Sequence, residues 1–306
     1  MCHLAKVVLV CAVFCVSQVN AEPVALGLQL QEGATYNWVS VNERATDSAK
    51  GKQASKATTP VSLLVLKASK DTFLLELGYG KSELAMPAGN PEAQRFLNDV
   101  QEIVQSLKFR VVVDNRGQIL DLQNFEEVQA AVKNLIDKLA ASTKNGLPEQ
   151  VKAQLQAMFS TKQAIVGAML KDLPLLFVGA SADPNAKAPI RFESEMPNPF
   201  GGAPFKTSGV TTVSRLPESK HILKLETRQS VKAESVAQLI SQMAQGKMSK
   251  VDEENMRKQL KGMSIKDSLK ATVDLDTGLS SQVRFVRTTT LQDTKRVDTK
   301  EFSLVN

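Results

Sequence analysis

The sequence predicts an α+β protein in which curved antiparallel β-sheet, half-barrel-like in shape, carries inserted amphipathic helices on its inner face. Short runs of β-branched and aromatic residues alternate with polar turns, as in antiparallel strands. Longer stretches with apolar residues at helical spacing separate these runs. The order strand pair, helix, strand, Asp-containing turn, strand occurs twice, so a duplicated unit is a further expectation.

The N-terminus has the three-part layout of a secretory signal peptide. Lys6 precedes an apolar run from Val7 to Val16, which is too short to span a bilayer. Val19 and Ala21 occupy the small-residue positions of a cleavage site. We expect residues 1–21 to be removed, so that the mature protein is exported to the periplasm or the extracellular space.

The positions of the cysteines support the prediction that the protein is exported. All three, Cys2, Cys11 and Cys15, lie within the predicted signal. Val10 and Phe14, which precede the latter two, do not fit the small residue that lipid attachment requires. The mature chain would therefore lack thiols and disulfides, which favours a bacterial envelope protein over a small disulfide-stabilised domain.

The distribution of charge and hydropathy argues against a nucleic-acid-binding protein and against an integral membrane protein. Removing residues 1–21 leaves 285 of 306 residues and lowers the formal net charge from +6 to +5 through loss of Lys6. Lys and Arg alternate with Asp and Glu along the chain, which is typical of solvated faces rather than of a nucleic-acid groove. No later stretch is long enough for a membrane helix, so an integral membrane protein is not predicted.

The first half begins with strands. Residues 28–44 read as one long strand or a strand pair, and the Lys-rich and Ser-rich residues 47–59 as a mobile turn or flap. Residues 61–66 and 72–77 form a hairpin pattern around a polar turn. Residues 109–113 and 119–122 form a second ribbon around the turn Asp114–Gly117.

Helical spacing occurs in three places of this half. Asn90 and Pro91 can start a helix that continues to Leu107. Residues 125–139 carry a second apolar stripe, and Pro148 opens a longer helix that Pro174 should break or kink.

A segment rich in proline and glycine divides the mature chain. It covers residues 183–206 and contains five prolines, so we expect a connecting loop between an N-terminal half, 22–182, and a C-terminal half, 207–306. In the second half we expect strands at 210–216, 222–227, 269–275, 279–289 and 295–304. Helices are expected around 236–243 and 251–260.

The ribbon at Val111–Gln123 and the loop Pro197–Gly202 resemble those of a family of exported bacterial proteins of unknown function. More distantly, the predicted architecture resembles the LolA and LppX kind of periplasmic lipoprotein carrier. That resemblance implies a half-barrel that holds acyl chains between sheet and helices. It is a likeness of architecture, and it carries no ligand residue over to this chain.

The residues predict no catalytic site, no cofactor site and no metal site. His221 is the one histidine outside the signal, and no nucleophile motif accompanies it. The acidic cluster Asp252–Glu254 suits a helix start, and Asp274 and Asp276 suit a turn better than a calcium loop. A pair of carboxylates distant in sequence would still allow a hydrolase, which is the third hypothesis.

The apolar helices are the remaining lead to function. Methionine adapts to hydrophobic ligands, although it also fills ordinary cores, which is its commoner role. The first hypothesis is a non-catalytic envelope protein that binds a lipid or another hydrophobic molecule between sheet and helices. The second is a structural or assembly factor that binds an envelope protein through strand edges or the proline-rich loop. The candidate ligand-facing residues are Met158, Phe159, Met169, Leu173 and Met243.

Overall fold

Both halves of the chain contribute to one antiparallel sheet. The computed structural model describes residues 25–49, 51–85, 101, 104–142, 152–153, 156–157, 159–196, 204–216, 218–232, 235–236 and 262–305. Within these ranges the sheet has 12 strands and is open, which confirms the predicted fold class. The strands are β1 Thr35–Ser48, β2 Gly51–Ala68, β3 Thr72–Tyr79, β4 Glu83–Ala85, β5 Lys108–Asp114, β6 Ile119–Leu122, β7 Ile190–Met196, β8 Phe205–Arg215, β9 Ile222–Val231, β10 Ser264–Asp274, β11 Ser280–Leu291 and β12 Thr294–Val305.

The spatial order of the strands repeats. The sheet runs β6-β5-β3-β2-β1-β12-β11-β10-β9-β8-β7, and the short β4 pairs with β2. The five strands from β6 to β1 and the five from β11 to β7 therefore follow the same order, with β12 between the two sets. Two tandem units of one strand arrangement are thus joined edge to edge through the last strand of the chain.

The sheet is strongly curled at the end that carries the two Asp-containing turns. The amide of Leu28 donates to the carbonyl of Asn115, after β5, at 2.7 Å, and the amide of Gln29 donates to the carbonyl of Thr277, after β10, at 2.9 Å. In the sheet, β5 and β10 are six strand spacings apart, which is about 29 Å if the sheet is flat. Because two neighbouring residues reach both turns, the sheet must wrap round this end.

The two turns share their local chemistry. Asp114 Oδ1 accepts from the amide of Arg116 at 2.9 Å, and Asp274 Oδ1 accepts from the amide of Asp276 at 2.8 Å. Gly278 closes the second turn with φ +75°. A Cβ atom on Gly278 would clash with the carbonyl of Gly27, so this position needs glycine for space as well as for conformation.

Helices cover the inner face of the sheet, which is the face that bears Trp38. Helix α1 spans Phe125–Ser142 and α2 spans Lys162–Met169, and a 3-10 helix follows at Leu173–Phe177. Thr161 caps α2 by accepting from the amide of Ala164. Pro174 lies in the first turn of the 3-10 helix, where its missing N–H is tolerated.

The hydrophobic core lies between these helices and the sheet. The indole of Trp38 in β1 donates to the carbonyl of Ser280 in β11 at 3.0 Å, which ties the two repeated units together. Fully buried members of the core from sheet and helices include Leu63, Leu75, Phe109, Leu122, Val128, Ile165, Leu170, Leu176 and Phe177. A second, smaller cluster contains Met196, Phe205, Met263 and Ile265.

Three sequence expectations need correction. Residues 28–34, expected in the first strand or strand pair, lie outside any strand, because they cross to the two Asp-containing turns and β1 begins at Thr35. Residues 51–59, expected in a mobile turn or flap, belong to β2, which pairs with β1 as far as Ser48 opposite Gly51. Residues 51–56 are exposed because this hairpin projects beyond the core, which explains their polar composition. Residues 190–196, expected within a connecting loop, form β7, whose alternating Ile190, Phe192 and Met196 are hidden in the sequence by flanking prolines.

The remaining predicted helices lie outside the described residues for most of their length. This applies to residues 90–107 apart from 101 and 104–107, to 148–158 apart from four positions, and to 236–260 apart from 236. Among the helices that the structure describes, none is both long and apolar enough to cross a membrane.

Candidate functional site

A cleft separates the inner face of the sheet from α2 and the 3-10 helix. Its volume is about 210 Å³. β1, β2, β3 and β12 form one wall, and the segment from Ala168 to Leu176 forms the other. The described residues that line it are Ser40, Asn42, Thr59, Val61, Leu77, Tyr79, Ser82, Val104, Ala168, Met169, Asp172, Leu173, Leu176 and Phe302.

The sheet wall becomes more polar from one end of the cleft to the other. Strand register places Val61 opposite Trp38, and two residues further along β1 it places Ser40 between Thr59 and Phe302. Two residues further again, Asn42 lies opposite Lys300, and beyond it Arg44 lies opposite Asp298. Since alternate residues of a strand share a face, all of these lie on the inner face of the sheet. Apolar, hydroxyl-bearing and charged levels therefore follow one another along the inner face.

Tyr79 fixes the helical wall to the sheet. Its hydroxyl donates to the carbonyl of Met169, the last residue of α2, at 2.6 Å. Its ring packs edge-on against Phe109, with centroids 6.1 Å apart. Burial, with a smaller contribution from the charge of Asp172, raises the pKa of Tyr79 well above its ordinary value. The hydroxyl therefore remains a hydrogen-bond donor across the physiological pH range.

An ion pair joins the two walls. Lys300 Nζ on β12 donates to Asp172 Oδ1, at the start of the 3-10 helix. Burial lowers the pKa of Lys300, and the attraction of Asp172 opposes that shift only in part. The pair is therefore largely removed from water, and each charge depends on the other for compensation.

Short polar side chains complete the polar end. Thr59 Oγ1 and Ser82 Oγ lie 2.7 Å apart, and Asn42 Nδ2 donates to Ser40 Oγ at 3.2 Å. Hydroxyl and amide groups can both donate and accept hydrogen bonds. This part of the cleft can therefore bind an uncharged polar group.

A row of ion pairs lies beyond the cleft on the same face. Asp267 and Arg287 are cross-strand neighbours with two hydrogen bonds, at 2.8 and 2.7 Å, and Gln229 Nε2 donates to Asp267 at 3.0 Å. Burial acts to lower the pKa of Arg287. The hydrogen bonds to Asp267 and the negative charge of Asp267 act in the opposite direction and outweigh burial, so the pKa is raised. The guanidinium also lies 5.7 Å from the ring centroid of Phe285.

Asp298 continues this row toward β1. It accepts from Arg44 Nε and from Arg296 Nε, each at 2.7 Å. Burial acts to raise the pKa of the Asp298 carboxyl, but the hydrogen bonds and charges of the two arginines lower it below its ordinary value. Asp298 therefore stays ionised at neutral pH.

The structure brings together two of the five residues that the sequence predicted to face a ligand. Met169 and Leu173 line the cleft. Phe159 is partly buried against the core and is not among the lining residues. Met158 and Met243 lie outside the described residues.

The polar residues of the cleft were missed at the sequence level. Ser40 and Asn42 follow Trp38 at intervals of two, so the alternation of β1 could have placed them on the inner face. The meeting of Lys300 with Asp172 spans 128 residues and has no local signal.

The remaining candidate groups lie apart from the cleft. His221 is exposed, and its Nδ1 lies 3.0 Å from Asp276 Oδ2 at the turn after β10. Within the described ranges, no group of three or more His, Cys, Asp or Glu side chains could hold a metal ion.

Comparisons with known proteins give weak likenesses. No family model matches the chain, and no curated protein matches it. A solved structure titled for lipid–protein interactions in lipovitellin is similar with a TM-score of 0.46 and 10% identity over 91% of this chain. An outer membrane channel from Pseudomonas putida F1 gives a TM-score of 0.20 and 9% identity, covering 94% of this chain and 100% of the channel. The chain spans 26% of the lipovitellin chain, and at these scores neither likeness assigns a function to it.

Proposed function

We propose that the protein is a non-catalytic binding protein that holds the apolar part of an amphiphile between its sheet and its helices. The observation that carries the proposal is the gradient along the cleft, from Val61, Leu77 and Leu173 at one end to Asn42 and the Lys300–Asp172 pair at the other. An amphiphile has the same gradient along its own length. Its tail would displace water from the apolar end while its head group keeps hydrogen bonds at the polar end.

The size of the cleft limits what it accepts. About 210 Å³ is below the range of about 300–1,000 Å³ that is typical for small-molecule pockets. We therefore expect one acyl chain segment, rather than a lipid with two full chains.

The proposal includes export. The predicted signal at residues 1–21 lies outside the described residues. An exported carrier of the kind that the LolA-like and LppX-like resemblance implies would meet amphiphiles in the periplasm or outside the cell. N-terminal sequencing of protein secreted or exported by its own cell tests this part, and a start at Glu22 is the expected result.

Native mass spectrometry on gently purified mature protein is the first test of binding. A mass excess that disappears on denaturation, and that an organic extract identifies as lipid, is the expected result.

A matched pair of variants then locates the site. Ala168→Phe fills the cleft from α2, whereas Gln163→Phe places the same ring on the exposed side of the same helix.

We expect Ala168→Phe to weaken binding of the uncharged dye Nile red by at least about tenfold, or about 1.4 kcal/mol. Gln163→Phe should bind like the wild type. Equal binding by both variants, with unchanged melting temperatures, would show that the dye does not enter this cleft.

A second candidate function uses the edges of the sheet. In the described part of the chain, β6 and β7 each pair with a strand on one side only, and Leu120 in β6 is 56% exposed. An open edge can add a strand from another protein. Crosslinking in envelope extracts, with photoreactive residues at Leu120 and at Arg191 in β7, would trap such a partner. Crosslinks that equal those from a site on the β11–β12 turn would speak against it.

A further inference from the structure

The charges around the cleft constrain the head group of its ligand. Among the described lining residues, Asp172 is the one with a formal charge, and it is paired with Lys300. Beyond this pair, Asp298 is shared by Arg44 and Arg296, and Asp267 is held by Arg287. In the described part of the sheet, the cations at this end of the inner face, Lys300, Arg44, Arg296 and Arg287, each have a carboxylate partner within hydrogen-bonding distance.

A charged head group beside Asn42 would compete for a member of the Lys300–Asp172 pair, because Lys300 lies opposite Asn42. An anion would compete with Asp172 for Lys300 and leave a half-buried carboxylate without its partner, and a cation would do the same to Lys300. Removing one partner from a buried ion pair is strongly unfavourable. The lowered pKa of Lys300 is consistent with a site where water compensates poorly.

Uncharged partners are available at the same level. Ser40, Asn42, Thr59 and Ser82 offer hydroxyl and amide groups. Within the described ranges, Asn42 uses one amide hydrogen, toward Ser40, which leaves its carbonyl oxygen to accept from a ligand hydroxyl.

We propose, building on the binding function above, that the ligand is a single-chain amphiphile with an uncharged, hydroxyl-bearing head group, such as a monoacylglycerol. The head lies against Asn42 and Thr59, and the tail lies toward Leu77 and Leu173. This orientation follows from the order of levels along β1 and β2.

Competition for bound Nile red tests the selectivity. Monodecanoylglycerol, decanoic acid and decyltrimethylammonium share a similar tail and differ in head-group charge, and each is used below its micelle concentration. We expect monodecanoylglycerol to displace the dye at a concentration at least about tenfold lower than either charged compound.

Two variants test the residues. Thr59→Val removes a hydroxyl from the cleft and should reduce the preference for monodecanoylglycerol. Thr58→Val makes the same change on the opposite face of β2 and should leave the preference unchanged. Asp172→Asn leaves Lys300 without its carboxylate, so this variant should gain affinity for decanoic acid.

The outcomes separate the two proposals. Displacement by decanoic acid at equal or lower concentration than by monodecanoylglycerol overturns the head-group assignment and leaves the binding function standing. Equal loss of preference in Thr58→Val and Thr59→Val overturns the placement of the head. Failure of all three compounds to displace the dye, together with a ligand-free native mass, overturns both proposals.

Discussion

At the scale of single residues, glycine positions show how tightly one end of the molecule is built. Gly278 and Gly33 both adopt positive φ, at +75° and +82°. A Cβ atom on Gly278 would meet the Gly27 carbonyl, whereas one on Gly33 would meet nothing within 4 Å. Alanine substitutions at these two glycines therefore separate the cost of conformational strain from the cost of steric contact.

We expect Gly33→Ala to lower the free energy of unfolding by about 1–2 kcal/mol, the usual cost of the left-handed conformation. Gly278→Ala should cost about 1–3 kcal/mol more, because the segment 26–29 must move away from the turn. Urea denaturation of both variants measures the difference. Equal losses of unfolding free energy in the two variants would mean that residues 26–29 move away from the turn without cost.

Asp298 gives a prediction on pH. Its pKa is held below the ordinary value of 3.8, so the ionised form is stabilised by folding. That contribution is complete above the unfolded pKa and is lost as pH falls through the folded pKa. The free energy of unfolding should therefore decline on acidification below about pH 5, and less steeply in Asp298→Asn than in the wild type.

Asp293→Asn, on the exposed β11–β12 turn, is the matched control and should keep the wild-type slope. The unfolding free energy is measured by urea denaturation at each pH. Parallel pH profiles for wild type and Asp298→Asn would show that Asp298 does not contribute to the loss of stability in acid.

At the scale of elements, the hydrogen bond between Tyr79 and α2 joins the two walls of the cleft. Tyr79→Phe keeps the ring and removes the hydrogen bond to the Met169 carbonyl. We expect a loss of about 1–2 kcal/mol in unfolding free energy, because a partly buried carbonyl loses its donor. We also expect weaker Nile red binding, since α2 is less firmly placed.

Tyr36→Phe provides the control, because Tyr36 is half-buried on β1 against Trp38 and is not among the described residues that line the cleft. Its unfolding free energy should change by less, and its dye binding should not change. Similar losses for both tyrosines would indicate that the hydroxyl of Tyr79 has no special part in seating α2.

Sequence periodicity predicted α1, which buries one face, and missed two strand segments for different reasons. The stripe Val128, Val132 and Ile136 is buried as expected, because spacing of four residues keeps one side of α1 on the sheet. Residues 51–56 have no apolar alternation, since both faces of that hairpin extension are exposed. Strand β7 was hidden because its alternation is short and lies between prolines.

The candidate site was predictable in its location and not in its chemistry. Apolar helical residues such as Met169 and Leu173 have a sequence signal, from which a ligand site between sheet and helices was predicted, and both residues line the cleft. The ion pair of Lys300 with Asp172 depends on β12 lying beside β1, and no local pattern specifies that neighbour.

At the scale of the whole molecule, β12 is the element that joins the two repeated units. It pairs with β1 from Asn37 opposite Val305 to Asp47 opposite Lys295, and with β11 on its other side. Removing residues 294–306 should therefore abolish the cooperative thermal transition, because two long strands lose their partner and Trp38 loses part of its cover.

Shortening the β1–β2 hairpin is the matched control for this truncation. Replacing residues 47–52 by a two-residue Asn-Gly turn removes exposed strand and no core. Circular dichroism on heating should show one sharp transition for this variant. A sharp transition in the chain without residues 294–306 would mean that the units fold independently.

The pairing of β1 with β12 also sets the order in which the chain can fold during synthesis. Arg44 and its partner Asp298 are separated by 254 residues, so the ribosome completes β1 long before the strand beside it exists. Closing a loop of that length costs on the order of 5 kcal/mol in chain entropy, and contacts between distant segments slow folding. Until residues 294–305 emerge, β1 can pair with β2 on one side and has an unpaired edge on the other. The sheet therefore stays incomplete until β12 has been made, and during that time the exposed edge of β1 is open to aggregation.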